Sequence, residues 1–186
     1  ELCRQEQCSI SEIMRRRECE LGETTRDVVD HRMMRALEIM RSSATQPLKN
    51  PLKSMGGLIG GEAKKLSSHA AKGKAICGDV LVRAITYAVA VLEVNASMGL
   101  IVAAPTAGSA GVVPGLLLAM QDCYKISNDR LVDALFNAGA VGYLAMRNAT
   151  VAGAVGGCQA EIGVASAMAA SATVELMGGT PEQCLD

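Results

Sequence analysis

Aromatic side chains are almost missing from this 186-residue chain: they make up 2% of it, with no Trp and a single Phe. That argues against a sheet core of aromatic and β-branched residues. Hydrophobic residues still reach 49%, so the apolar volume is Ala, Val, Leu, Ile and Met. Small side chains let helices approach closely. No period-2 alternation survives for more than a few residues, and the expected fold is all-α, one compact domain over 1–186. Excess charge is also lacking: Lys and Arg number 18, Asp and Glu 19, for a net charge of −1. This gives no electrostatic case for a nucleic-acid partner. No Cys-x-x-Cys pair occurs. Seven cysteines, an odd count in a chain too long for a small secreted scaffold, make a disulfide framework unlikely and fit a reducing, cytoplasmic compartment. Glu1-Leu-Cys-Arg-Gln-Glu6 lacks the apolar stretch of a signal peptide.

One long run without charge must be explained, from Val94 to Gln121. It is long enough to span a bilayer, but Pro105, Pro114 and glycines 99, 108, 111 and 115 interrupt it where lipid would demand a satisfied backbone. No basic cluster flanks it. A buried turn between two core helices, not a membrane span, is the reading of these residues.

Helix punctuation is readable elsewhere. Ser9-Ile-Ser-Glu12 is a capping box whose helix should stop at Gly22. Thr24-Thr-Arg-Asp27 opens a second helix with Val29, Met33, Ala36, Leu37 and Met40 on one face and Arg32, Arg35, Glu38 and Arg41 largely outside it. Gln46 to Met55 holds two prolines and reads as a loop, and Gly56 to Glu62 as a mobile turn leading into Ala63–Ala71. Asp79 is expected to cap a helix to about Met98, and Ser127-Asn-Asp-Arg130 another to about Arg147. A third long helix should run from Glu161 to Met177 and close at Gly178-Gly179. Thr180-Pro-Glu-Gln183 is a helix-opening sequence placed three residues before the last one, Asp186. A single turn does not offset its nucleation cost, so a fragment of a longer polypeptide is expected.

Chemistry concentrates in three places. Pro105-Thr-Ala-Gly-Ser-Ala-Gly-Val-Val-Pro114-Gly could turn several N–H groups toward one point, its glycines permitting left-handed backbone, and form a nest for a carboxylate or phosphate. A plain helix–loop–helix corner explains it equally well, and no Gly-Lys-Ser/Thr follows to make a nucleotide loop. Glu93, Asn95 and Asn148 are polar residues in apolar helices, which either tie helices together or line a pocket. Cys158 ends a glycine-rich, uncharged run near a helix start, with Glu161 three residues on. It is either a small core residue, the commoner fate of free cysteine, or a thiolate kept for a metal. One cysteine cannot hold a cluster. Cys3, Cys8 and Cys19 match no cluster spacing and read as incidental; Cys77, Cys123 and Cys184 read as structural, and His31 and His69 as surface residues.

These segments together resemble the alpha subunit of the iron–sulfur-dependent L-serine dehydratases. The likeness covers nearly the whole chain. It is strongest at Gly60-Gly-Glu-Ala-Lys-Lys-Leu66, Glu93-Val-Asn-Ala-Ser-Met-Gly99, Pro105–Gly115, Asn148–Gly163 and Gly178-Gly-Thr-Pro-Glu-Gln183. The resemblance implies an L-serine ammonia-lyase that yields pyruvate and ammonia with a [4Fe-4S] cluster and without pyridoxal phosphate. Three cysteines hold that cluster and one iron stays open as a Lewis acid for substrate. Cys158 matches the first of them. The other two belong to Cys-Asp-Pro-Val-Ala-Gly and Pro-Cys-x-x-Arg-Asn segments, which this sequence does not contain. The resemblance also implies Thr106, Gly108, Ser109 and Asn148 as substrate-binding residues, a beta subunit as partner, and a homo- or hetero-oligomer. It leaves the general base unnamed. A related lyase acting on cysteine and a non-catalytic helical membrane or packing module are the alternatives.

Overall fold

The computed structural model describes residues 1–73 and 76–186, and among them the only regular elements are helices. They are α1 (Leu2–Gln5), α2 (Ile10–Leu21), α3 (Arg26–Lys49), α4 (Glu62–Ala70), α5 (Asp79–Ala96), α6 (Val112–Tyr124), α7 (Asn128–Asn148), α8 (Gly153–Gly156) and α9 (Cys158–Leu176). The all-α expectation holds. The chain divides into two compact units, Glu1–Leu37 with Ser127–Asp186, and Glu38–Ile126.

In the first unit α7 packs against both α2 and α9. Phe136, Leu131, Leu135, Ala165, Ala169 and Ala172 are buried there, and each large side chain so buried contributes roughly 1.5–3 kcal/mol. A polar network runs through the same packing. Asn137, fully buried, donates to Glu175 Oε2 at 2.7 Å and accepts from the Ser171 hydroxyl at 2.7 Å, while the Ser11 amide donates to Glu175 at 3.3 Å. These bonds satisfy polar groups that burial would otherwise penalise, and they fix α2, α7 and α9 in register.

Local signals account for the ends of these helices. The Ser9 hydroxyl accepts from the Glu12 amide at 3.2 Å and α2 stops at Gly22. The Glu12 side chain does not complete the box; it is held by Arg15, Arg16 and Arg26. Ser127 caps α7, accepting from the Arg130 amide at 3.4 Å. The Thr180 sequence closes a reciprocal box, with Thr180 N–H on Gln183 Oε1 at 2.9 Å and Gln183 N–H on Thr180 Oγ1 at 3.3 Å.

In the second unit α5 packs against α4 and α6. Its core is Ala63, Ala90, Val91, Val94, Val113, Leu117 and Ala119. The approach of α6 to α5 depends on glycine. A Cβ on Gly111 would lie 2.6 Å from the Ala88 carbonyl oxygen, and one on Gly115 2.8 Å from that of Ala84.

Three boundaries differ from expectation. Residues 46–49 are not loop: α3 runs to Lys49 with Pro47 inside it and fully buried. Pro47 has no N–H for the Ser43 carbonyl, but burial of its ring and the bond from the Asn50 amide to the Gln46 carbonyl (2.9 Å) carry the last turn. Asp79 is not a cap; Gly78 takes that position with φ 76°, and Asp79 is the first helical residue, favourable to the positive end of the helix dipole. The third long helix starts at Cys158 rather than Glu161. The uncharged run from Val94 to Gln121 is divided between the end of α5, a loop and most of α6. Among the described residues no helix is long and apolar enough to cross a membrane.

Candidate functional site

The last turns of α5 bring two polar side chains to the loop and the helix beside them. Glu93 is 1% exposed. Its Oε1 accepts the Ala63 amide of α4 at 2.8 Å, so a carboxyl from α5 answers one of the unpaired N–H groups at the start of α4. Its Oε2 is buried and has no hydrogen-bond donor. Glu93 also acts on the carboxyl of Glu62, the first residue of α4. Glu62 Oε2 accepts the Gly60 amide at 2.6 Å. Its own amide and that of Gly60 hold its carboxyl below the usual range, with Lys65 adding to the effect.

Asn95, two residues after Glu93, donates from Nδ2 to the Ala107 carbonyl at 3.1 Å. It thereby fastens the Pro105–Gly115 loop to the end of α5. Within that loop Ser109 is buried and central. Its hydroxyl donates to the Ala104 carbonyl at 3.2 Å, meets the Thr106 hydroxyl at 3.1 Å and accepts the Thr106 amide at 3.4 Å. Thr106 is half-buried and Gly108 exposed. The loop is therefore a closed corner that leaves Thr106 and Gly108 on its outer side. The expected left-handed glycine is not what shapes it at Gly111, whose φ is −83°. That position is glycine for the close approach to α5 instead.

Asn148 and Cys158 belong to the other unit. Asn148 ends α7, exposed, with Nδ2 donating to the Leu144 carbonyl of its own helix at 2.9 Å. Cys158 is exposed and is the first residue of α9. The residue before it, Gly157, has φ 80°, a left-handed backbone that only glycine adopts without strain, and it turns the chain out of α8 into α9. The exposure of Cys158 departs from the buried-core reading. Glu161, one turn on, lays its carboxylate over α8: a Cβ on Gly153 would lie 2.4 Å from Glu161 Oε2.

The other cysteines sort by burial. Cys184 is buried and burial pushes its thiol up, as does the Glu175 charge. Cys3, Cys8, Cys19 and Cys123 are half-buried. Cys77 is exposed, so its reading as a structural residue does not hold. His31 and His69 are exposed, as expected. Among the described residues no group of three or more His, Cys, Asp or Glu side chains is arranged to hold a metal ion. The residues present therefore do not by themselves fit an iron–sulfur cluster; Cys158 is a single thiol.

Sequence reasoning missed the action of Glu93 on Glu62 and the Asn137–Ser171–Glu175 network. Glu93 carried a signal as an acid in an apolar helix. Glu62 carried none beyond its place in a glycine turn.

With helices as the only regular elements among the described residues, the protein is all-helical. Its family can be stated: residues 5–186 match the model of the serine dehydratase alpha chain family, and the chain belongs to it. It is similar to a probable L-serine dehydratase alpha chain of Bacillus subtilis (strain 168), 44% identical over 183 residues, 98% of this chain and 61% of that one. An L-serine dehydratase alpha chain of Peptoniphilus asaccharolyticus is 39% identical over 185 residues, 100% of this chain and 63% of the relative. An L-serine dehydratase of Helicobacter pylori (strain ATCC 700392 / 26695) is 38% identical over 191 residues and 41% of its length is covered. The chain thus spans about three-fifths of the two alpha chains.

Proposed function

We propose that this chain is the greater part of the catalytic alpha subunit of an L-serine dehydratase, which eliminates water from L-serine and releases pyruvate and ammonia. The observation that carries the reading is the family match over residues 5–186, which takes in both the Pro105–Gly115 loop and the Gly157-Cys158 helix start. Cys158 is exposed at the first position of a 19-residue helix, open to a group bound from outside. Cys158 would be one ligand of a [4Fe-4S] cluster, the others coming from outside this chain. The cluster would supply Lewis acidity; pyridoxal phosphate has no part in the reading.

In the same reading Thr106, Gly108 and Ser109 bind the substrate carboxylate, the Ser109 hydroxyl also holding Thr106 in place, and Asn148 positions substrate. The closed hydrogen bonding of Ser109 supports its hold on Thr106. The partner is a beta subunit, in a hetero-oligomer or further assembly, and the compartment is the cytoplasm.

The test is pyruvate release from L-serine by the complete alpha subunit with its beta partner, under anaerobiosis after cluster reconstitution. Activity lost on exposure to air and in Cys158→Ala is the expected result. A loaded cluster with no pyruvate would move the substrate elsewhere, with L-cysteine the next to try.

A further inference from the structure

Cys3 and Cys8 are folded back on each other at the corner between α1 and α2. The Cys8 amide donates to the Cys3 carbonyl, five positions back, at 3.1 Å. Gln7, just before Cys8, has φ 49°, in the left-handed region. In such a helix-ending corner the residue after the left-handed one returns to the residue that begins the last turn, and their side chains touch. The same corner closes α5 and α9. There Gly99 N–H reaches the Val94 carbonyl and Gly179 N–H that of Val174, both at 2.8 Å, after Met98 at φ 62° and Gly178 at φ 89°. A Cβ on Gly99 would lie 2.6 Å from Val94 Cγ1, and one on Gly179 2.4 Å from Val174 Cγ1. Cγ1 is one bond of about 1.5 Å from its own Cβ, so the two Cβ atoms of such a corner are at most about 4.1 Å apart. A disulfide needs about 3.5–4.5 Å. At the α1 corner both of those Cβ atoms carry sulfur. Both thiols are free and half-buried, within reach of a small dissolved reagent, whereas Cys184 is buried. Burial pushes the Cys3 thiol up, and the Cys8 charge adds to the effect.

We propose that Cys3 and Cys8 are a reversible dithiol–disulfide site that fastens α1 to the start of α2 when the surrounding thiol pool is oxidised. The reactant is a low-molecular-weight disulfide of the glutathione kind. One thiolate of the pair attacks a sulfur of that disulfide; its S–S bond breaks, and one small thiolate leaves with the electron pair. The second cysteine, as its thiolate, attacks the protein sulfur of the mixed disulfide and expels the other small thiolate. The two leaving thiolates take up the two protons the cysteines released. The protein pair has lost two electrons, and the small disulfide has gained them as two thiols. Arg4 of α1 is paired with Glu182, so the link also steadies that ion pair. The site does not depend on the dehydratase reading.

The experiment uses the complete alpha subunit, held without oxygen in glutathione buffers of rising disulfide fraction. Free thiols are blocked with iodoacetamide before digestion. Trypsin cuts after Arg4, between the two cysteines, and next after Arg15. The link therefore shows as the peptide ending at Arg4 joined to Gln5–Arg15, two hydrogens lighter than the reduced pair. Because its second step is intramolecular, the link should form at a disulfide-to-thiol ratio roughly 10-fold below the one that modifies the exposed Cys77. Dithiothreitol should reverse it. Cys8→Ser should lose the link and hold Cys3 as a mixed disulfide with glutathione. Amide exchange in Leu2–Gln5 should slow in the linked form. Glutathione on Cys77 while Cys3 and Cys8 are still fully alkylated would overturn the site. A Cys3–Cys184 link would overturn the pairing, and unchanged exchange in the linked form the fastening of α1.

Discussion

Arg15 of α2 and Asp133 of α7, far apart in sequence, are joined by a guanidinium–carboxylate contact of 2.5 Å. The same guanidinium reaches Asp30 at 2.6 Å and lies 4.5 Å from the centre of the Phe136 ring. Arg15 is 4% exposed, whereas its two aspartates keep access to water. Removal of the arginine therefore leaves carboxylates that water can resolvate, and the loss is that of the charged hydrogen bonds and of packing on Phe136. Arg15→Ala should destabilise the protein by roughly 1.5–3 kcal/mol. Arg15→Lys should recover only part of this, because an ammonium cannot serve two carboxylates in the fork geometry of a guanidinium. Urea unfolding of both variants checks the order; equal stability of Arg15→Ala and wild type would show that the contact contributes nothing.

Acid stability should turn on Glu12. Its carboxyl is held down to about 2, chiefly by the hydrogen bond from Arg26 and then by Arg16, with burial opposing. A carboxyl whose folded value is depressed binds fewer protons in the folded state than in the unfolded one. Its contribution is present above the ordinary value of about 4.5 and is lost as pH falls through about 2. Glu12→Gln should flatten that part of the stability–pH curve and leave the neutral region offset by a constant. Thermal melts between those two pH values decide it, and parallel curves would refute the assignment.

The helix starts at Ser9 and Ser127 and the stop at Gly22 were legible because each rests on one or two neighbouring residues. A capping hydroxyl needs only the amide two or three positions on. Pro47 misled for the same reason: locally it breaks a helix, and only its burial in the folded unit explains why α3 continues past it. Asp79 misled because glycine with a left-handed backbone can cap without a side chain. The segments that carry the family resemblance, Gly60–Leu66, Glu93–Gly99, Pro105–Gly115 and Asn148–Gly163, were legible, but the side-chain pairings within the fold were not. Nothing in local pattern announces that Glu93 meets the Ala63 amide or that Asn137 meets Glu175. Such meetings are set by how helices pack.

The tyrosines should titrate in a fixed order. Tyr87 is pushed up to about 12, first by burial and then by the hydrogen bond its hydroxyl donates to Asp122. Tyr143 is pulled below its ordinary value, first by Arg17 and then by Arg147. Tyr87, raised, favours the folded state fully below about 10 and loses that contribution as pH rises through about 12. Phenolate absorbance should therefore develop for Tyr143 before Tyr87. Titration of Tyr87→Phe and Tyr143→Phe assigns the steps; a late step that survives in Tyr87→Phe would contradict the order.

Two glycine-to-alanine changes should act in opposite directions. At Gly111 a new Cβ would stand 2.6 Å from the Ala88 carbonyl oxygen and 3.0 Å from Ala88 Cα, both backbone atoms that no rotamer change can move. Relief requires α6 to shift from α5, and overpacking of this kind costs about 1–3 kcal/mol. At Gly139, inside α7, a new Cβ meets nothing within 4 Å and the backbone is helical. There alanine removes conformational freedom from the unfolded chain and should stabilise by about 0.4–1 kcal/mol. Gly111→Ala should lower the melting temperature and Gly139→Ala raise it. A Gly111→Ala protein as stable as wild type would mean that α5 and α6 are free to separate, and the corner that holds Thr106 would then owe its shape to Asn95 and Ser109 alone.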